Sequence, residues 1–192
     1  MKSKAQFNIV ARSLHWLMAL AIIAMLTIGV IMVTSLQYHS ALLNLHRPLG
    51  IGILALALIR LFNRWLNPPP PLPPDLPRWQ MAAAHASHWM LYGMMPVLPL
   101  LGWAMLSAGG YPIQMTDGIY LSSILPQSAA LYGILRPLHG LFAYLFFFSI
   151  LAHLGAALYH AWVRRDGVFA QITVGVSPGR HADHDSNERG LL

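Results

Sequence analysis

Cysteine is absent from all 192 residues. Disulfides, thiolate metal sites, iron–sulfur clusters and covalent c-type haem attachment are therefore excluded. Charge is scarce as well, with 9% charged residues against 56% hydrophobic ones, far from the balance of a soluble domain. Acidic residues are the scarcest of all: Asp75, Asp117 and Asp166 lie between apolar runs and the other three near the C-terminus. That scarcity weighs against a histidine-lined metal or proton transporter, whose relays normally alternate imidazole with carboxylate. The net charge of +6 does not indicate nucleic acid, because the basic residues are scattered at the ends of apolar runs instead of forming one polar stripe.

What is abundant is apolar length. A bilayer core needs about 20 mainly apolar residues per helix, and four such runs occur: Leu14 to Thr34, Pro48 to Leu66, His88 to Ser107 and Leu138 to Val163. Arg60 and Arg64 interrupt the second near its end, where long side chains are expected to snorkel to the headgroups. The fold class predicted is all-α and integral to the membrane, a four-helix transmembrane bundle solvated by lipid. Lys2, Lys4, Arg12, Arg60, Arg64, Arg78, Arg164, Arg165, Arg180 and Arg189 fall on one side, and only Arg47 and Arg136 on the other. The positive-inside rule then puts both termini in the cytoplasm. Trp16, Trp65, Trp79, Trp89 and Trp162 gather at the same predicted boundary, as amphipathic rings do. The chain divides into a cytoplasmic segment 1–13, a membrane domain 14–166 and a cytoplasmic tail 167–192. The PPPPLPP run from Pro68 to Pro74 is a stiff cytoplasmic link. Residues 108–136 are too long for a simple connection and are expected to rest on the outer membrane face. From Pro178 the tail is polar, with the composition of disorder.

Ten histidines are far more than so apolar a chain carries without a use for them. His139 and His153 are 14 residues apart, which on a helix is ~21 Å along the axis and only ~40° around it. They share one stripe near opposite faces of the membrane. His160, seven residues on, stays within ~20° of that stripe at the cytoplasmic boundary. Antiparallel topology supplies partners: His46 should open the second span at the level of His139, and His15 should open the first at the level of His153. Two imidazoles at one depth on facing helices are what a six-coordinate b-type haem requires. The pattern therefore predicts two haems b, one held by His46 and His139 and one by His15 and His153. Gly50, Gly52, Gly140 and Gly155 are expected to leave room for a flat macrocycle. His85, His88 and His160 lie where a histidine can simply be solvated, and His39, His181 and His184 are read as solvated. The methionines and Phe146 to Phe148 are read as packing or lipid-facing. Arg47 and Arg136, beside the outer ligands, are candidates for pairing with haem propionates or for steering a small anion.

These residues resemble the bacterial cytochrome b561 family, superoxide oxidase-like. The matching pieces are LHW at 14–16, LHRPLGI at 45–51, AHASH at 84–88 and LHG…AHLGAALYHAW from 138 to 162. The resemblance implies the same two haem pairs, and it also implies a ubiquinone site at the cytoplasmic end near His88 and His160. The function expected is electron transfer between a periplasmic donor, superoxide being the candidate, and ubiquinone. A haem-bearing anchor that serves a partner dehydrogenase is the second expectation.

Overall fold

The computed structural model describes residues 7–72 and 75–173. Four long helices dominate: α1 (Ile9–Thr34), α2 (Leu36–Leu66), α3 (Arg78–Ala108) and α4 (Ala129–Tyr159). Each is long and apolar enough to cross a membrane. At 31 residues, α2 to α4 are each ~46 Å long, more than the ~30 Å hydrocarbon core, so they project beyond it.

The helices begin earlier than hydropathy alone suggests. Asn8 caps α1, its side chain accepting from the Ala11 amide at 2.6 Å, so the helix starts five residues before Leu14. Ser35 alone, in extended conformation, separates α1 from α2. The first ten residues of α2, from Leu36, are helical although Gln37, His39 and Asn44 make them polar. His46 consequently does not open the second span but sits within its helix, three turns in. Four prolines lie inside helices, Pro48, Pro96, Pro99 and Pro137, and each frees a carbonyl one turn back.

Between α3 and α4 the chain forms an antiparallel hairpin, β1 (Ile113–Thr116) and β2 (Ile119–Leu121), in which Ile113 pairs with Leu121 and Gln114 with Tyr120. Gly118 turns it with φ of 78°, a conformation glycine adopts without strain. The loop after β2 is tied to α3: the Trp103 indole donates to the Ser122 carbonyl at 3.1 Å, and the buried Ser107 hydroxyl accepts from the Ile124 amide at 3.1 Å. Past α4 come a π-helical turn (His160–Arg164) and a short helix α5 (Val168–Thr173). Residues 168–173, assigned to the tail, thus belong to the folded body. The polar stretch from Pro178 lies outside the described residues.

Packing runs α1 on α2, α2 on α3 and α3 on α4, with α4 approaching α1 and α2 only marginally. The core is a small plug at mid-height: Met18 and Ile22 of α1, Ile53 and Ala57 of α2, Met95 of α3 and Phe146 of α4. Phe146 lies seven residues from both His139 and His153, so the plug separates the levels of the two histidines. α5 folds back on α1, where the Arg12 guanidinium donates to the Thr173 carbonyl and the Trp16 indole to that of Ile172.

Candidate haem sites

At the hairpin end His46 of α2 faces His139 of α4, with ring centroids 6.3 Å apart. At the opposite end, where the proline-rich linker lies, His15 of α1 faces His153 of α4 at 6.4 Å. An imidazole nitrogen bonds a first-row metal at ~2 Å, so two imidazoles sharing one iron would have ring centres ~6 Å apart. Both pairs have that separation. Both also join helices that scarcely pack on each other, α2 with α4 and α1 with α4, which is the opening a planar group needs. The residues present therefore fit b-type haem.

The hairpin-end pair has few polar neighbours. Nδ1 of His46 and of His139 is buried without a hydrogen bond of normal geometry, although the Leu98 carbonyl approaches His139. Gly102 of α3 lies against the His139 ring: a Cβ there would stand 3.2 Å from Cε1, so a side chain would push the imidazole. Of the glycines expected to make room, Gly50 makes ordinary contact with Met25, and Gly52, Gly140 and Gly155 face open space. The glycine that meets a histidine is Gly102, one the sequence reading missed. The two outer arginines differ. Arg136 is exposed on α4. Arg47 is half-buried, its Nε lacks a partner, and it lines a cleft of about 430 Å³ with Asn44, Gln114, Asp117 and Tyr120 under the hairpin.

The linker-end pair is crowded. His88 of α3 also rests on His153, at 5.8 Å. Arg60 was expected to reach for headgroups, yet it turns inward, its guanidinium 3.0 Å from His15 Nδ1 and its Nε 3.3 Å from the Tyr92 hydroxyl. Tyr92 carries both Arg60 and Arg64 against its ring, at 5.2 and 4.5 Å from the centroid. His85 is exposed and bonds its own helix through the Met81 carbonyl at 2.7 Å. His39 similarly meets the Met32 carbonyl at 2.9 Å.

Below this layer His160 opens the π turn and pairs through Nδ1 with Asp166 at 2.6 Å. Asp166 also accepts from Arg164 at 3.1 Å and from the Val168 amide at 3.2 Å. Arg164 reaches across to Asp75 at 2.7 Å and Gln80 at 3.4 Å, which straps the end of α4 to the start of α3. His88 and His160 thus belong to different clusters, one on His153 and one on Asp166. Asp166 carries no sequence signal beyond following Arg164 and Arg165.

Known proteins of similar sequence complete the picture. Residues 6–175 match the family described as prokaryotic cytochrome b561. Cytochrome b561 homolog 1 of Escherichia coli K12 is 31% identical over 127 residues, 66% of this chain and 72% of the relative. Cytochrome b561 homolog 2 of the same organism is 28% identical over 166 residues, 84% of this chain and 87% of the relative. "Probable superoxide oxidase CybB" of Yersinia pestis is 29% identical over 164 residues, 83% of this chain and 90% of the relative. The chain belongs to the prokaryotic cytochrome b561 family and is a multi-pass bacterial membrane protein of electron transport that uses b-type haem.

Proposed function

We propose that this chain binds two haems b, one through His46 and His139 and one through His15 and His153, and conducts electrons across the membrane to ubiquinone. The observation that carries this reading is the pair of histidine contacts at 6.3 and 6.4 Å, set 14 residues apart on one helix. Haem iron, when bound, supplies one-electron chemistry. The protein's part is to fix four imidazoles at two depths and to keep a dry plug around Phe146 between them. Residues 14–166 form the membrane domain, and 1–13 and 167–192 face the cytoplasm, as the distribution of arginine and lysine favours.

In the enzymatic form, suggested by the relative named as a probable superoxide oxidase, each superoxide gives up one electron at the hairpin end and leaves as dioxygen. Two electrons and two protons convert ubiquinone to ubiquinol at the linker end, near His88 and His160. There the His160–Asp166 pair holds a hydrogen-bonded imidazole, a group suited to proton transfer. Arg47, in its cleft, and Arg136 offer the anion positive charge. An anchor role for a partner dehydrogenase is the second reading, and it predicts full activity only when that partner is present.

The deciding experiment has two parts. Purified protein should show a reduced alpha band and two haems per chain by haemochromogen assay; no Soret band would overturn the reading altogether. Stopped-flow mixing of superoxide with the oxidised protein should then reduce the haem faster than superoxide dismutates, and no reduction would sink the enzymatic form while leaving the anchor form standing.

A further inference from the structure

Arg60 follows His46 by 14 residues, the same interval that carries α4 from His139 to His153, so it keeps to nearly the same face of α2 at the opposite membrane depth. Where α4 places a second histidine, α2 places a cation. Arg64 follows one turn later, and both guanidiniums rest on Tyr92. Both belong to a candidate membrane span and are half-buried. A charge at that depth calls for a counter-charge.

The described residues supply none. Asp75 and Asp166 are engaged with Arg164, and Asp117 lies at the hairpin end. The partners that Arg60 does have are neutral: an imidazole nitrogen and a phenol. A guanidinium only donates, so the contact uses His15 Nδ1 as an acceptor. A histidine that binds a metal through Nε2 ordinarily carries its hydrogen on Nδ1 and points it at an acceptor. The Arg60 contact and ligation of iron by His15 therefore compete.

We propose that Arg60 and Arg64, backed by Tyr92, form a carboxylate-binding clamp for the propionates of the linker-end haem, and that Arg60 leaves His15 when this haem is seated. The inference rests on the haem reading of His15 and His153. A planar guanidinium matches a carboxylate with two parallel hydrogen bonds. The cation–π contact with Tyr92 holds both forks in place beforehand. Lipid phosphate is the other anion at this depth, and the experiment separates the two sources.

The test uses purified holoprotein carrying haem labelled with carbon-13 at the propionate carboxyls, in the parent and in R60Q/R64Q and R60K/R64K. The linker-end haem is identified as the one that survives in H46A. Its loss to excess apomyoglobin is expected to be about tenfold faster in R60Q/R64Q, as befits a lost charge-assisted pair, with the hairpin-end haem unaffected. Lysine variants should fall between, and the labelled infrared band should shift in both. An unshifted band assigns the arginines to lipid phosphate and overturns the proposal, as do equal loss rates. If R60Q/R64Q cannot be purified, the band in R60K/R64K decides alone. A parent protein without linker-end haem defeats the haem reading itself, an outcome visible before any arginine is changed.

Discussion

His46 and His139 meet at 6.3 Å beside Gly102 and little else that is polar, whereas His15 and His153 meet at 6.4 Å in the company of His88, Arg60, Arg64 and Tyr92. Equal spacing in such unequal surroundings separates two jobs. Few groups near the hairpin-end pair can exchange a proton, so an electron can pass there without proton movement. The linker-end pair sits one layer above His160, Asp166 and Arg164, at the end where charged residues reach the surface. That end suits chemistry in which electron and proton arrive together.

The most forceful way to break the comparison is to remove a proposed haem ligand. H139A should lose the hairpin-end haem and keep the other, halving haem content by haemochromogen assay, and H15A should do the reverse. Loss of both haems from either variant would mean that the two sites are not independent. Gly102→Val comes next. Its side chain would strike the His139 ring from a position where a Cβ is already at 3.2 Å, so a destabilisation of about 1–3 kcal/mol is expected. The spectrum of the hairpin-end haem alone should change, and thermal melting followed at each alpha band checks this.

Asp166→Asn sharpens the other side. It removes the carboxylate that His160 and Arg164 share while leaving both haems in place, and quinone reduction should slow several-fold with unchanged haem content. The smallest effects belong to the outer arginines. R47Q should lower the rate of haem reduction by superoxide a few-fold at low salt and hardly at all at high salt, because steering is screened over a Debye length of about 10 Å at 0.1 M. R136Q, at an exposed position, should do less.

The comparison also shows what could be read before any coordinates. The four helices and both histidine pairs were legible because membrane length and helical pitch are strong periodic signals. The start of α2 was not, since Gln37, His39 and Asn44 dilute hydropathy without weakening a helix that already has a partner in α1. The hairpin has its cue in Asp117-Gly118 between short alternating runs, which the length and apolarity of residues 108–136 outweigh. Counting apolar residues says nothing about which way the Arg60 cation faces; its 14-residue interval from His46 carries that signal. Gly102 and Asp166 belong to tertiary packing, where α3 meets α4 and where α4 ends in a π turn, and no local pattern announces either.

The clasp of α5 on α1, through Arg12 and Trp16, bears on how the molecule is made. Translation delivers α1 before α4, so His15 waits through the synthesis of α2, α3 and the hairpin for His153. Both histidine pairs draw on α4, and a nascent chain halted before it has no complete histidine pair at either end. On the two-haem reading, cofactor loading would thus report that α4 has been inserted beside α2 and α1.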